Sequence, residues 1–499
     1  MRNTKLIFLV IFLILITICI VIFFNTIKGI FNKKNEVIDF YKEIELLSNM
    51  DCNLQYSNLE HVNIILESNN TRTTNTKNVY VRKNVVNIYS GGIYIVEGSA
   101  KHTQIVINTI DNDDVYLILN NVEMNSDSIS PLYIKRAKKV FIVLADNSIN
   151  NLSMRSKYKT IRESDMNSTI FSKEKLIFMG NGTLNINSDL GYGIVAEKDL
   201  FYIKGIYNIN VGNKGIFSKG NIGILDGNFN INSEDDSIHS NEKICVNGGI
   251  INLKTKDDAI HANRTFLINN GHINVKECFE GIEALKIEIY GGNINIISND
   301  DGLNARDCRK VIIDEENYKE FEKDAGLKII GGTIDIKSGG DCLDSNGNIY
   351  VYGGKINLSN FAHVVGDGVD ANGDFYIHGG EIYISGSFDG GGIAFDSWGD
   401  NIIYGGTCVA TTIGINREFV EDSTQIVVTI NLGRNKNAND IVKLIDENNN
   451  TVISYEPING YRYIIISSPK IDVGKQYTLQ YGEEYRSIII EKENTYIRL

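Results

Sequence analysis

Acidic side chains recur at nearly constant spacing between residues 235 and 396. When the repeated segments are aligned, one column holds a carboxylate in every repeat: Asp236, Asp258, Glu280, Asp301, Asp341 and Asp367. A mixed polar column lies three residues further on: His239, His261, Glu283, Asn304, Asp344, Asp370 and Asp396. Two carboxylates about 5 Å apart repel by roughly 3 kcal/mol at an effective dielectric constant near 20. The columns therefore need water, retained protons or a bound cation.

Clustered carboxylates and neighbouring backbone carbonyls are hard oxygen ligands, which suit Ca²⁺ better than a transition metal. We expect Ca²⁺ to be bound by these acidic residues: Asp300, Asp301, Asp341, Asp344, Asp367 and Asp370. Further candidates lie in the same columns or beside them: Asp235, Asp236, Asp257, Asp258 and Asp396. The alternative is that Asp-Asp and Gly-Asp pairs only form corners, with their side chains in water.

A repeat of about 22 residues must position these columns. Each unit opens with a glycine turn and a short strand such as GGIINL, GGNINI or GGKINL. The turn glycines are Gly182, Gly205, Gly227, Gly249, Gly271, Gly292, Gly332, Gly354, Gly380 and Gly406. A fixed period in this range is typical of a solenoid. One longer interval contains a charged insertion, Asp307 to Gly326, for which we predict a helix.

The composition of the repeats favours an all-β solenoid. An LxxLxL core is absent, and the segments are rich in Ile, Val, Asn and Gly with period-2 alternation, which excludes leucine-rich and helical repeats. The whole chain has only three prolines, as expected where nearly every backbone N–H joins a ladder. We predict a parallel β-helix with glycines at its corners. Its outward face carries an asparagine ladder: Asn185, Asn208, Asn230, Asn252, Asn274, Asn295, Asp335 and Asn357.

The flanking segments predict four regions: a membrane anchor over 1–28, a stalk over 29–52, the β-helix over 53–406 and a small β cap or sandwich over 407–499. Leu6 to Phe24 is nineteen residues without a charge, long enough to span a bilayer, and no small-x-small cleavage site follows it. We therefore expect an uncleaved, single-pass N-terminal transmembrane helix with the β-helix outside the cell. Alternating segments after Gly406 predict antiparallel strands, among them Tyr461 to Ser467.

The charge and cysteine content exclude other classes of function. A formal net charge of −13 argues against nucleic-acid binding and means that a polyanionic ligand would need a bridging cation. The seven cysteines include no CxxC pair, so we expect core or free thiols rather than a zinc site. We expect the protein to be a monomer.

The central repeats DDGLNA, GGTIDIKSGGDCLDSNGNIYVYGG and GDGVDANGDFYIHGG resemble a family of bacterial cell-surface carbohydrate-binding β-helix proteins. Proteins of that family look like calcium-dependent pectate lyases. The resemblance covers about Thr73 to the C-terminus and implies a right-handed helix, calcium at the acidic repeats, and binding to plant cell-wall or acidic polysaccharides. Two repeats depart from the motif, ECFEGIEA at Glu277 to Ala284 and GGGIAFDSW at Gly390 to Trp398, which puts a continuous run of sites in doubt.

Catalysis remains an alternative to binding. A polysaccharide lyase needs a base near the α-proton of a calcium-bridged uronate. Lys214 and Lys256 are weak candidates, although a solvated face is the favoured interpretation of both. His239 and His261 are further candidates, although we expect them to hydrogen-bond along their column.

A binding module would present exposed aromatic rings. Trp398, the only tryptophan, could stack on a sugar, but packing under the C-terminal cap is the favoured alternative. The sequence therefore predicts a surface-anchored, calcium-stabilised polysaccharide-binding β-helix that is not catalytic. A pectate-type lyase and a structural adhesin remain the alternatives.

Overall fold

The computed structural model describes residues 40–50 and 59–499, apart from 69, 112, 128, 156–166, 310–320, 389–390, 416–418 and 421. From residue 62 onward the chain winds into a β-solenoid of about twelve coils, whose strands form three parallel sheets. Sheet 1 contains the first strand after the corner glycine of most coils. Its strands are Val62–Glu67, Gly92–Lys101, Val115–Ser126, Ile149–Met154, Thr183–Ser188, Ile206–Val211, Asn228–Ser233, Ile250–Lys254, His272–Glu277, Asn293–Ile297, Thr333–Ser338, Lys355–Asn360, Glu381–Ser385 and Thr407–Thr412.

Sheets 2 and 3 are built from shorter strands that follow sheet 1 in each coil. Sheet 2 consists of Val85–Ile88, Gln104–Asn108, Leu132–Arg136, Ser168–Ser172, Tyr192–Ala196, Ile216–Ser218, Ile238–Ser240, the start of Ile260–Ile268, the start of Ile282–Ile289, Leu303–Ala305, Leu343–Ser345, Val369–Ala371 and Phe395–Ser397. Sheet 3 consists of Val140–Leu144, Leu176–Gly180, Leu200–Tyr202, Ile222–Ile224, Lys243–Val246, the ends of Ile260–Ile268 and Ile282–Ile289, Gly326–Ile329, Asn348–Val351, Phe375–Ile377 and Asn401–Ile403. The first strands of sheet 3 are the starts of Gly92–Lys101 and Val115–Ser126.

Stacked aliphatic side chains fill the interior between the three sheets. In sheet 1, inward and outward residues alternate, as in Asn228–Ser233, where Phe229, Ile231 and Ser233 are buried. In sheet 2, one inward position is aliphatic in every coil from Ile238 to Val369 and is at most 1% exposed. Apolar area removed from water contributes about 25 cal/mol per Å², so this continuous core stabilises the rod. The predicted all-β solenoid is confirmed.

Backbone conformation explains the glycine at the corner between sheets 3 and 1. Gly249 has a φ of +92°, and a Cβ at this position would lie 2.7 Å from the carbonyl oxygen of Gly227 in the preceding coil. Both the conformation and the close approach exclude a side chain. Because every coil turns here, a glycine recurs at this corner with the period of the repeat.

Short antiparallel strands lie at both ends of the solenoid. Near the start, Arg72–Thr73 pairs with Val62–Glu67, and Val79–Arg82 pairs with Val85–Ile88. At the C-terminal end, sheet 1 continues beyond Thr407–Thr412 through three strands in the order Tyr461–Ser467, Val427–Lys436 and Asn494–Arg498. A separate antiparallel sheet contains Thr451–Tyr455, Val442–Ile445, Gln476–Tyr481 and Glu484–Ile489.

The extension of sheet 1 and the separate antiparallel sheet share one core. Val428, Ile464 and Ile466 of the extension belong to the same buried cluster as Leu444 and Leu479 of the separate sheet. The predicted small β domain at the C-terminus is therefore confirmed. The alternating segments in the sequence did not predict three of its strands, 451–455, 484–489 and 494–498.

Two further predictions concern residues near the N-terminus and in the insertion. Residues 40–48, within the predicted stalk, are helical. The predicted transmembrane segment lies outside the described residues, as does most of the predicted helix of the insertion. Among the described residues, no helix combines the length and the apolar character needed to cross a bilayer.

The corner glycine provides a test of the coil geometry. We expect Gly249→Ala to lower the free energy of unfolding by about 1–3 kcal/mol, because alanine must adopt a positive φ and displace a neighbouring carbonyl. Gly386→Ala is the matched control, since its φ is not positive and its nearest neighbour would be 3.4 Å away. Denaturant unfolding measures both variants, and equal stabilities would contradict this account of the corner.

Candidate functional site

The two acidic columns run side by side along one edge of sheet 2. In the mixed polar column, strand register pairs each predicted member with the next, from His239 opposite His261 to Asp370 opposite Asp396. The acidic column is aligned by backbone hydrogen bonds between successive coils. The ECFEGIEA repeat does not interrupt either column, because Glu280 and Glu283 occupy the predicted positions in register. The GGGIAFDSW repeat does end the acidic column, since Ile393 follows Asp367 there.

Several aspartates of the acidic column bind the backbone of the following coil. Asp301 Oδ1 accepts the N–H of Asp341 at 2.7 Å, and Asp341 Oδ1 accepts the N–H of Asp367 at 2.6 Å. Asp367 Oδ1 accepts the N–H of Ile393 at 2.5 Å. One oxygen of each carboxylate thus fixes the corner, and the other is available to the neighbouring column. These aspartates therefore stabilise the backbone of the corner and also contribute carboxylate oxygens to the candidate site.

A lysine neutralises the start of the acidic column. Lys214 Nζ lies 2.6 Å from Asp235 Oδ1 and 2.5 Å from Asp236 Oδ2, and its side chain is only 18% exposed. Burial alone would lower the pKa of Lys214, but the carboxylates of Asp236 and Asp235 outweigh burial and raise it. Lys214 therefore does not lie on a solvated face, and its retained proton makes it a poor general base. Lys256, by contrast, is exposed and pairs with Glu234.

The two histidines lie within the next two coils. Their rings stack with centroids 4.4 Å apart and planes 4° apart. His239 Nδ1 is 2.6 Å from Asp236 Oδ2, and its Nε2 is 3.1 Å from Asn241 Oδ1. The predicted hydrogen bond along the column is found only at His261, whose Nδ1 lies 2.8 Å from Glu283 Oε2. His239 and His261 contact each other by stacking instead.

These contacts shift the pKa values of the aspartate and the two histidines. Burial would raise the pKa of Asp236, but His239 and Lys214 hold it far below its usual value. Burial would lower the pKa of His261, but Asp258 and other hydrogen-bonding partners raise it well above its usual value. Burial also lowers the pKa of His239, although its hydrogen bond to Asp236 opposes this. The early part of the site is therefore a network of internal ion pairs.

Arg306 closes this network. It contacts Glu283, and its Nη2 lies 3.9 Å from Glu280 Oε1. Burial would raise the pKa of Glu283, but His261 and Arg306 hold it at about 2. Burial and the charge of Glu283 raise the pKa of Glu280 to about 9. Burial likewise raises the pKa of Asp258 to about 8, so these two acids retain protons at neutral pH.

Beyond Arg306 the two columns contain aspartates whose charged neighbours are other carboxylates. One carboxylate oxygen each of Asp341, Asp344 and Asp370 lies within 4.8 Å of the other two. Burial is the largest cause that raises the pKa of Asp344, followed by the charges of Asp301, Asp341 and other carboxylates. Among the residues that the structure describes, no basic side chain lies within ion-pair distance of Asp341 or Asp344. This triad must bind protons or a cation.

A buried amide oxygen lies next to the triad. Asn304 precedes Asp344 in the mixed polar column and is 2% exposed. Its Nδ2 donates to Glu280 Oε2 and Asp301 Oδ2, both at 3.2 Å. Its Oδ1 is buried without a hydrogen-bond partner in the structure as described. Nδ2 is thus held by one carboxylate of the preceding coil and one of its own coil, and strand register places Asn304 opposite Asp344. A donor set of carboxylate and amide oxygens suits Ca²⁺.

The remaining predicted residues are placed as follows. Asp300 is half-buried, and burial raises its pKa. Asp257 is exposed, and one of its carboxylate oxygens lies within 4.8 Å of carboxylate oxygens of Asp235 and Asp236. Asp396 lies above Asp370 in the mixed polar column. Trp398 is 51% exposed, so it does not lie fully beneath the cap, and its role in stacking on a sugar stays a prediction.

Sequence reasoning missed Arg306 and the unpartnered oxygen of Asn304. Arg306 lies outside the repeated columns, at the start of the insertion, so no periodic signal marks it. The asparagine was visible in the column, but its significance depends on the hydrogen bonds that its amide makes. Cys308, also in the insertion, lies with His261 and Glu283 in a third cluster of potential metal ligands.

Part of the chain is similar to known proteins. Residues 82–314 match the model of a family described as carbohydrate-binding domain-containing protein. The family resemblance is confirmed. A protein of the same description from Acetivibrio thermocellus is 28% identical over 139 residues, which are 28% of this chain and 49% of that relative. The chain thus spans about half the length of this relative.

A solved structure is also similar to this chain. It is described as the polysaccharide lyase-like protein from C. thermocellum in a gadolinium derivative. The two chains are 19% identical, the alignment covers 69% of this chain and 97% of the other, and the TM-score is 0.30.

The buried lysine can be compared with an exposed lysine two coils later. We expect Lys214→Met to destabilise the protein by about 3–5 kcal/mol, because it leaves Asp235 and Asp236 without a counter-charge in a buried site. Lys256→Met removes an exposed ion pair and should cost about 1 kcal/mol or less. Denaturant unfolding at neutral pH measures the difference, and similar losses in the two variants would contradict internal neutralisation.

The raised pKa values predict how stability changes with pH. Burial, opposed by backbone hydrogen bonds, raises the pKa values of Asp301 and Asp367 to about 7. An unfolded aspartate titrates near 4, so between about pH 4 and pH 7 the folded state binds more protons than the unfolded state. These two groups therefore stabilise the fold most at low pH, and this contribution is lost as the pH rises through 7.

The measurement is the melting temperature from pH 4 to pH 8 in the presence of a chelator. We expect the wild-type value to fall more steeply over this range than that of the double variant Asp301→Asn, Asp367→Asn. Parallel curves for the two proteins would contradict the assignment. The comparison between variants cancels the contribution of titrating groups that do not interact with Asp301 or Asp367.

Proposed function

We propose that this protein is a calcium-dependent polysaccharide-binding protein of the bacterial cell surface, that it prefers acidic polysaccharides, and that it is not catalytic. One observation carries the proposal: carboxylate oxygens of Asp341, Asp344 and Asp370, three half-buried residues, converge within 4.8 Å. Such a cluster is unstable when ionised and empty of cations. A divalent cation resolves the repulsion and leaves positive charge for a ligand.

The residues fit calcium better than other metals. Asp341, Asp344 and Asp370 would hold the ion, with Asn304 Oδ1 as a neutral ligand nearby. All these donors are oxygens, which Ca²⁺ prefers, whereas zinc prefers nitrogen and sulfur ligands. Bound calcium would supply a bridge to the carboxylate of an acidic sugar. The bridge is needed because the chain carries a net charge of −13.

The candidate bases support binding rather than elimination. Lys214 holds its proton tightly, because the paired carboxylates raise its pKa. Both ring nitrogens of His239 have partners, Asp236 and Asn241. A base must reach the proton that it abstracts, and a ring that is hydrogen-bonded at both nitrogens is not free to do so.

Family and sequence support the rest of the proposal. The match of residues 82–314 to carbohydrate-binding domain-containing proteins favours a glycan as the ligand. The uncharged segment Leu6 to Phe24 favours a single-pass anchor with the solenoid outside the cell. The solenoid would then present its columns to extracellular polysaccharide.

Removing the triad tests the calcium-dependent step. We expect the double variant Asp344→Asn, Asp370→Asn to lose the rise in melting temperature that Ca²⁺ gives the wild type. It should also bind polygalacturonate at least about tenfold more weakly in Ca²⁺, a loss of 1.4 kcal/mol or more. Calorimetry and retention on immobilised polygalacturonate measure the two effects.

Asp335→Asn is the matched control, because it removes the same charge from sheet 1, away from the triad. It should behave as the wild type does. If Ca²⁺ leaves the melting temperature of the wild type unchanged, the calcium site is wrong. If unsaturated uronate products accumulate on incubation with polygalacturonate and Ca²⁺, the protein is a lyase and the non-catalytic proposal is wrong.

A further inference from the structure

A second polar surface lies on sheet 1, in the earlier coils and away from the acidic triad. Here two parallel columns of asparagine side chains line a groove of about 520 Å³. We call it the asparagine groove and define it by these residues: Asn185, Asn208, Asn230 and Asn252 in one column, and Asn210 and Asn232 in the other. It lies within residues 82–314, whereas the acidic triad lies after them.

Each asparagine of the first column donates to the one in the preceding coil. Asn208 Nδ2 donates to Asn185 Oδ1 at 2.8 Å, and Asn230 Nδ2 donates to Asn208 Oδ1 at 2.9 Å. Asn252 continues the chain to Asn230 at 3.1 Å. In the second column, Asn232 donates to Asn210 at 2.7 Å. The hydrogen bonds hold the carboxamides in fixed and equivalent orientations.

The bonded carboxamides still have hydrogen-bonding capacity. A carboxamide has two N–H donors and an oxygen with two lone pairs, and the ladder uses one donor and one lone pair of each inner residue. One donor and one acceptor per coil therefore remain for a ligand, at the coil spacing of about 4.8 Å. Sugar rings in an extended 1,4-linked chain repeat at nearly the same distance. Such a chain could hydrogen-bond to successive coils in the same way.

The charge of the groove favours a neutral ligand. The carboxamides carry no formal charge, and Lys254, at one end of the groove, pairs with Glu277 at 2.7 Å. Lys256, close to the same corner, pairs with Glu234. Lys276, at the same end of the groove, is exposed, but the remaining polar lining is uncharged carboxamide. The net charge of −13 would repel a polyanionic chain.

We propose that the asparagine groove binds a neutral, extended polysaccharide whose axis runs along the solenoid, without calcium. The inference rests on the proposed carbohydrate-binding function, but it assigns a second site with a different ligand class. The protein then has two binding faces. Sheet 1 binds neutral chains through carboxamides, and the columns beside sheet 2 bind acidic chains through a cation.

The experiment uses neutral 1,4-linked hexasaccharides of glucose, xylose and mannose as probes, with a chelator present. We expect the full chain to bind at least one of them, as measured by calorimetry. The double variant Asn230→Ser, Asn232→Ser removes two adjacent carboxamides and keeps polar side chains in both columns. It should bind that probe at least about tenfold more weakly, with the melting temperature recorded to show that it folds.

Asn357→Ser is the matched control, since Asn357 occupies the same ladder further along sheet 1, donates to Asp335 and lies outside the groove. It should bind the probe as the wild type does. If no hexasaccharide binds, if the double variant binds normally, or if the control loses as much affinity, the groove is not the site.

Serine replacements could also destabilise the ladder itself, so Asn210→Gln, which adds a methylene and keeps the amide, provides a second test. It should weaken binding through bulk alone, and unaltered affinity would count against the groove.

A polygalacturonate arm separates the two proposals. In Ca²⁺, the Asn230, Asn232 double variant should retain polygalacturonate as the wild type does, whereas the Asp344, Asp370 double variant should not. In chelator, the Asp344, Asp370 variant should bind the neutral probe normally. If the wild type binds polygalacturonate in Ca²⁺ but binds no neutral hexasaccharide, this inference is wrong and the calcium-dependent function stands. If it binds a neutral hexasaccharide but not polygalacturonate in Ca²⁺, the calcium-dependent function is wrong and this inference stands.

Discussion

The in-register stacking of coils is the constraint on which the rest of the structure depends. Parallel strands of successive coils pair at a spacing of about 4.8 Å, so each residue lies directly above its counterpart in the preceding coil. For aliphatic residues this produces a continuous core, as at Ile238 and Ile260. For asparagines it produces a hydrogen-bonded ladder. For carboxylates it produces repulsion, and the chemistry of the protein follows from how that repulsion is relieved.

The acidic columns relieve the repulsion in different ways along their length. At the start, Lys214 supplies a buried positive charge, and in the middle His261 and Arg306 do so. Asp258 and Glu280 retain protons, because burial raises their pKa values to about 8 and about 9. Beyond Arg306, the acids around Asp344 have other acids as their neighbours. The same geometric column is therefore a structural ion-pair network at one end and a candidate cation site at the other.

The periodic part of this arrangement could be predicted from the sequence. A constant repeat length fixes which residues share a column, so the register from His239 to Asp396 and the asparagine ladder follow from alignment of the repeats alone. Burial could not be predicted in the same way. An Asp-Asp pair at a corner is compatible with full solvation, and only the packed coils show that Asp236 is 3% exposed.

Non-periodic residues also escaped prediction. Arg306 acts on Glu283 from the start of an insertion, and no repeat places it there. Trp398 is half-exposed, and the repeat does not specify the exposure of this side chain. The additional cap strands, such as 451–455, alternate weakly and owe their structure to the core that they share with the extended sheet 1. The positions of these residues and strands depend on tertiary packing, which the repeat does not encode.

The hydrogen-bonded asparagines have a further consequence. Every carboxamide of this column from Asn185 to Asn252 donates toward the N-terminal end of the rod and accepts from the C-terminal end. The exposed surface of the ladder therefore has a direction along the solenoid and is not the same when it is reversed. A glycan chain also has two chemically different ends. A surface with one sense would distinguish a chain lying in one direction from the same chain reversed, and proteins anchored side by side would orient their bound chains in a common sense.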